Sequence, residues 1–296
     1  MKKKLVSLVL CSALAVSVLS ACGGSNDQGN ETSESAGSQA EESAVQESSQ
    51  AEESGTPDEA SGEASLIMYA AASLADVLND EIALYNETHP DVTITLSTGS
   101  SGDLMTQIEE AQGTDIDIFF SAGKKQMNEL IEQGLVDEAN SVDLLKNEIV
   151  LIGAKDSGTS VTGFENITDA SSIALADDTV PVGQYAREAF DSLGISEDDF
   201  AQVNTCADVS AVKEAVKEGS NEVGIVYYSD YYSVKDDVDL IEICDQSLYS
   251  ECIYPVATVN NPNADDTQSG AAADFVEFLQ TDEAKQIFED YMFTIY

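Results

Sequence analysis

The sequence has a single histidine, His89, and only 12 lysines and arginines against 56 aspartates and glutamates. One histidine excludes a histidine-rich metal centre, and the scattered cysteines lack the spacing of a zinc site. The same scarcity removes the usual base of a serine nucleophile. His89 stands beside Pro90 in a polar turn, and no Gly-x-Ser-x-Gly elbow is present, so an enzyme is not expected and no catalytic residue is assigned. The formal net charge of −44 repels nucleic acid and anionic lipid head groups, so neither is an expected partner. Beyond the first twenty residues no apolar run is long enough to cross a membrane.

What is present at the N-terminus is an export signal over residues 1–21. Lys2, Lys3 and Lys4 precede an apolar segment from Leu5 to Leu19, which runs into Leu19-Ser20-Ala21-Cys22. The segment resembles a bacterial lipoprotein signal, which ends in a cysteine. That resemblance implies that Cys22 becomes the lipidated first residue, anchoring the chain at the extracytoplasmic face of the cell membrane. Removal of the three lysines takes the net charge from −44 to −47. Residues 22–64 are mostly Ser, Glu, Gly, Ala and Gln. Such a composition cannot bury enough apolar surface to offset the entropy of ordering, so a disordered acidic tether is expected there. Cys11 leaves with the signal, and Cys206, Cys244 and Cys252 remain, an odd number. Cys244 and Cys252 flank two apolar runs that adjacent antiparallel strands could bring together. A disulfide between them and three buried thiols both stay open.

From residue 65 the pattern alternates strands and helices. Leu66-Ile67-Met68-Tyr69 reads as a buried strand, and Leu74, Val77, Leu78, Ile82 and Tyr85 recur at helical spacing. Ser73 stands at that helix start, where a serine caps free N–H groups or where those groups bind an anion. Strand 92–96, a Gly99-Ser100-Ser101-Gly102 turn into a helix, strand 116–120 and helix 125–133 complete a βαβαβα series. A second series runs through strands 148–153 and 172–176, the turn Val180-Pro181-Val182-Gly183, and helices 184–193 and 209–218. It continues with strands 223–227 and 238–243. The chain closes with a segment from Tyr254 to Val259 and two helices. Such series imply an α/β fold of two lobes, each a mostly parallel sheet flanked by helices, with a cleft at the carboxyl ends of the strands. Residues 65–146 with 256–296 are expected to form lobe 1, and 147–255 lobe 2.

Several stretches agree with one family. They are Ala70-Ala71-Ala72-Ser73-Leu74, Gly99-Ser100-Ser101-Gly102, the run from Asp115 to Ala122, the run from Val180 to Ala186, Gly224-Ile225-Val226-Tyr227, and the ending Phe293-Thr294-Ile295-Tyr296. In this order they resemble the periplasmic or lipid-anchored molybdate-binding proteins of ABC importers. The resemblance covers residues 66–296 and implies a two-lobed type II periplasmic-binding-protein fold closing over molybdate or tungstate. It implies as ligand-binding residues the hydroxyls of Ser73, Ser101 and Tyr227, and the backbone N–H groups of Val182 and Val209. No cofactor and no free metal cation is implied; the ligand is the oxyanion. The implied partner is a membrane permease, and a monomer is expected.

The chemistry of that set is consistent with the ligand. Molybdate at neutral pH carries no proton, so its oxygens only accept, and hydroxyls and amides can all donate. Asp103 follows Gly102 at a helix start. It either favours the helix dipole from solvent or faces the cleft, where it would repel a dianion. Receptors for phosphate, sulfate or another small ligand, and a surface lipoprotein without a transport role, are the alternatives. Tyr227-Tyr228 with Tyr231-Tyr232 reads as core and rim packing, apart from Tyr227 itself.

Overall fold

A computed structural model describes residues 63–296. The export segment 1–21, the lipidation at Cys22 and the tether up to residue 62 lie outside the described residues. The first strand, β1, runs Ala64–Ala71, followed by a 3-10 turn, Ala72–Leu74, and α1, Ala75–Thr88. Then come β2 (Val92–Gly99), α2 (Ser101–Ala111), β3 (Ile118–Phe120), α3 (Lys124–Glu132) and β4 (Val142–Asn147). β5 (Ile149–Ala154), β6 (Ile173–Ala176), α4 (Pro181–Leu193), β7 (Val203–Cys206) and α5 (Val209–Lys217) follow. The chain ends with β8 (Val223–Tyr227), α6 (Tyr228–Ser233), β9 (Val238–Ile243), β10 (Cys252–Thr258), α7 (Asp266–Phe278), α8 (Asp282–Asp290) and β11 (Thr294–Ile295).

These strands form two sheets, ordered β11-β4-β10-β3-β1-β2 and β7-β6-β8-β5-β9. Each sheet is mixed rather than mostly parallel. β2-β1-β3 and β7-β6-β8 are parallel, as helical crossovers require. β10, β4 and β11 run antiparallel to their neighbours in one sheet, and β5 runs antiparallel to β8 and β9 in the other. The antiparallel strands include those on which the chain changes sheet. It leaves the first sheet after Asn147 with one residue, Glu148, before β5, and returns between β9 and β10. The expected boundary at 255/256 therefore falls inside β10, whose Cys252 already pairs with Asn147. Pro255, which cannot donate to a ladder, sits where the β10–β4 register shifts.

β5 and β8 are buried along their whole length, which is why they read as continuous apolar runs. α4 begins with Pro181 at its first position and ends on Gly194 in the left-handed region (φ 70°), a start and stop that its sequence specifies. Leu104, Ile108, Phe119, Met127 and Leu130 form a second apolar cluster that binds α2 and α3 to the first sheet. Cys206, Cys244 and Cys252 are free and buried. Burial pushes the Cys244 thiol up to about 12 and Cys252 well above its ordinary value, so both stay protonated.

Candidate functional site

Because β1 and β2 are parallel and in register, Ala71 lies beside Gly99 and both strands end at the same sheet edge. The 3-10 turn carrying Ser73 and helix α2 carrying Ser101 leave from that edge. In the second sheet β6, β7 and β8 are likewise parallel. Their ends deliver the start of α4, the start of α5 and Tyr227. The two edges face each other. Between them is a cavity of about 10 Å³, walled on one side by residues 71–73, Gly99, Ser100, Ser101 and Ala122. Val180, Pro181, Asp208, Val209 and Tyr227 wall the other side. This is close to the minimum space for one water, so the lobes are shut.

Contacts across the gap agree with that. Tyr227 Oη donates to the Ala122 carbonyl at 3.5 Å, and Gln126 Nε2 to Gln184 Oε1 at 3.4 Å. Gly102, in α2, is pressed against the opposite lobe: a Cβ there would lie 2.3 Å from the Thr179 carbonyl oxygen. Only glycine permits that approach.

Four of the five expected ligand residues line the cavity: Ser73, Ser101, Val209 and Tyr227. Val182 does not. It is buried at the second position of α4, and its neighbours Val180 and Pro181 form the wall. Its N–H still belongs to the first turn, where no intrahelical acceptor exists, and no side chain caps it. Ser73 caps nothing: its Oγ is 3.2 Å from the Tyr254 hydroxyl. Ser101 Oγ accepts the Ala122 N–H at 3.0 Å, which leaves the hydroxyl hydrogen unassigned. Burial holds the Tyr227 and Tyr254 phenols well above their ordinary range, so both remain O–H groups.

α2, α4 and α5 begin at this cavity, so three helix dipoles are directed at it. Among the described residues no lysine or arginine lines it. Lys213, in α5, is turned to the buried carboxylate of Asp230, 3.6 Å away. Asp208 is the one acid in the wall, and its Oδ1 is taken by the Ala211 N–H at 2.8 Å, as the cap of α5. Asp103 is exposed and lies outside the cavity, in an outer groove with Lys125, Glu129 and Gln184. Of the two places open to it, it takes the solvated one. His89 is no partner for the serines. It stacks on Tyr85 at 4.1 Å with Nε2 3.3 Å from Asp274, at the far end of α1. A helix of that length separates it from the Ser73 end by about 20 Å.

The wall residues missed in the sequence are Ala122, Asp208 and the Val180–Pro181 pair, together with Tyr254 and Asn147 behind Ser73. Asn147 Nδ2 donates to Ser229 Oγ (2.8 Å) and to the Tyr254 hydroxyl (3.4 Å). Ala122 ends a run that the family resemblance includes, and Pro181 and Asp208 directly precede Val182 and Val209, whereas Asn147 and Tyr254 do not stand out in the sequence. Pairings between residues as distant as Asn147 and Tyr254 come only from the fold.

Two α/β lobes, crossed twice by the chain and shut over a small cavity at their strand ends, define a two-lobed solute receptor. Residues 66–294 match the family described as bacterial extracellular solute-binding protein, and the chain belongs to that family. It is therefore an extracytoplasmic receptor rather than an enzyme. Among relatives, the chain is 33% identical over 233 residues to a Bacillus subtilis protein named "Putative ABC transporter substrate-binding lipoprotein YvgL", covering 78% of this chain and 87% of that one. It is 30% identical over 240 residues to the molybdate-binding protein ModA of Escherichia coli, covering 79% and 90%. The solved periplasmic molybdate-binding protein of Azotobacter vinelandii superposes with a TM-score of 0.66 at 17% identity, over 78% of this chain and 99% of that one. At that identity the superposition speaks for the fold alone. No helix among the described residues is long and apolar enough to cross a membrane.

Proposed function

We propose that the protein is the receptor of an ABC importer for molybdate, and for tungstate as an anion of the same charge and shape. It delivers its cargo to a membrane permease, acts as a monomer, and is held to the membrane through lipid on Cys22. The observation that carries this reading is the donor chemistry of the shut cavity. Ser73, Ser101 and Tyr227 supply hydroxyls, and the first turns of α2, α4 and α5 supply amides, with no cation in the wall. Such a set satisfies an anion whose oxygens all accept and carry no proton. The names of the relatives support the same ligand. Val182 enters this reading through its backbone N–H alone, and Val209 in the same way.

Entry of a four-oxygen anion requires the lobes to part beyond the present cavity. The long Tyr227–Ala122 bond is the contact that gives way, freeing the phenol hydrogen for the guest. The test is calorimetry of the chain from Gly23 onward with molybdate, tungstate, sulfate and phosphate. Binding of molybdate and tungstate with little heat from phosphate is expected. Strong heat only from phosphate or an organic solute overturns the assignment.

A further inference from the structure

The groups behind Ser73 decide which way its hydroxyl points. The Glu148 backbone N–H donates to Asn147 Oδ1 at 2.9 Å. A backbone amide can only donate, so that oxygen is an acceptor and the orientation of the Asn147 amide is fixed. Its Nδ2 then faces Ser229 and Tyr254 as a donor. The Tyr254 hydroxyl receives that hydrogen and has its own to place. Ser73 Oγ lies 3.2 Å away and the Tyr227 hydroxyl is its other neighbour. With the Tyr254 hydrogen placed on Ser73 Oγ, the Ser73 hydrogen is left for the cavity that Ser73 lines. Ser101 reaches the same state in one step, by accepting the Ala122 N–H.

We propose that Asn147 and Tyr254 are positioning residues which turn the Ser73 hydrogen toward the bound anion, and so favour guests that carry no proton. The inference rests on the oxyanion reading above. Neither residue lines the cavity, and both act through Ser73. A fully deprotonated oxyanion meets a hydrogen at Ser73. Hydrogen phosphate brings one O–H that needs an acceptor, and the relay occupies one of the two Ser73 lone pairs and turns the Ser73 hydrogen to the guest, which makes Ser73 a poorer acceptor. Asn147 is also the last residue before the chain first changes lobe, so the relay starts at the crossing itself.

The test is a double-mutant cycle on the mature chain, read by calorimetry with molybdate and with inorganic phosphate. Tyr254→Phe keeps the ring, which packs edge-on against Tyr227 and Phe293, each 5.5 Å away. It removes only the hydroxyl, and is expected to weaken molybdate binding by roughly threefold to tenfold, the worth of one biased hydrogen bond. Phosphate binding is expected to hold steady or tighten, because Ser73 is then free to accept. On a Ser73→Ala background the same change is expected to cost molybdate less than about twofold, since the group it orients is gone. Asn147→Leu cuts the relay one link earlier and should show the same dependence on background. Equal losses in both backgrounds, or no loss in either, overturn the relay while leaving the receptor reading intact. A parent protein that binds neither molybdate nor tungstate overturns the receptor reading itself.

Discussion

Helix α1 carries an acid on its buried face. Glu81 is 0% exposed, and among the described residues neither of its carboxyl oxygens has a hydrogen-bond partner. Burial, with a smaller contribution from the Asp80 charge, raises its pKa from 4.5 to about 8. It is therefore a neutral acid at pH 7 in the folded chain and ionised in the unfolded one. The unfolded state binds fewer protons between those two values, so stability falls as pH rises from about 4.5 to 8 and levels off above. The fall from this residue approaches tenfold in the folding equilibrium per pH unit, on the order of 3–5 kcal/mol across the window. Glu81→Gln has nothing to ionise. Urea unfolding of the parent and variant at half-unit steps from pH 5 to 9 isolates the effect, because other titrating groups cancel in the difference. The variant is expected to gain on the parent steadily up to about pH 8 and then run parallel to it. An unsatisfied amide in the variant would offset every point equally and leave the slope untouched. A difference that stays flat from pH 5 to 9 refutes the argument.

Three further outcomes follow from the site. Ser73→Ala and Ser101→Ala should each weaken molybdate binding by roughly tenfold or more, the worth of a hydrogen bond to a charged group, in calorimetry; unchanged affinity in both removes them from the site. Gly102→Ala places a methyl against the Thr179 carbonyl of the other lobe. It should cost roughly a hundredfold in affinity by blocking closure and so losing several donors at once, while the thermal midpoint stays level or rises; normal affinity would show that this contact is not part of closing. Association with molybdate, followed by stopped flow, should speed up as salt is raised from low concentration, because screening relieves repulsion between a dianion and a strongly acidic surface; a rate that falls with salt would reveal a cationic path to the cleft.

The alternation of strands and helices was legible because each lobe repeats a βα rhythm whose apolar faces have different periods. The cavity wall was legible where a wall residue sits in a short local pattern, as Ser73 follows three alanines and Ser101 precedes Gly102. β4 escaped because Val142-Asp143-Leu144-Leu145-Lys146-Asn147 neither alternates nor forms an apolar run; it is a strand only because β10 and β11 flank it. The mixed sheets escaped for the same reason, since antiparallel pairing is set by where the chain changes lobe. Tyr254 looks like any core aromatic until the fold sets its hydroxyl beside Ser73. Glu81 is readable from the sequence: it lies four residues after Val77 and four before Tyr85, squarely on the apolar stripe.

The absence of a cation from the wall bears on release as much as on binding. Each helix start carries about half a positive elementary charge, so on the function proposed above α2, α4 and α5 together bring roughly one and a half to a dianionic guest. The remainder comes from hydroxyls and the amides before α1. These contributions are divided between the lobes: the 3-10 turn and α2 belong to the first sheet, while α4, α5 and Tyr227 belong to the second. Neither lobe alone offers the full set. Parting the lobes therefore separates the groups that neutralise the guest, and the hold weakens as soon as they move. A lysine would stay with one lobe and keep its grip through opening, and after departure would be left as an unpaired charge in the shut form. A chain of net charge −44 contributes nothing attractive at any stage, since beyond about 10 Å its surface charge is screened and closer in it repels. Capture must then depend on the lobes meeting around the anion, and any change that hinders their meeting should lower affinity even when every donor is intact.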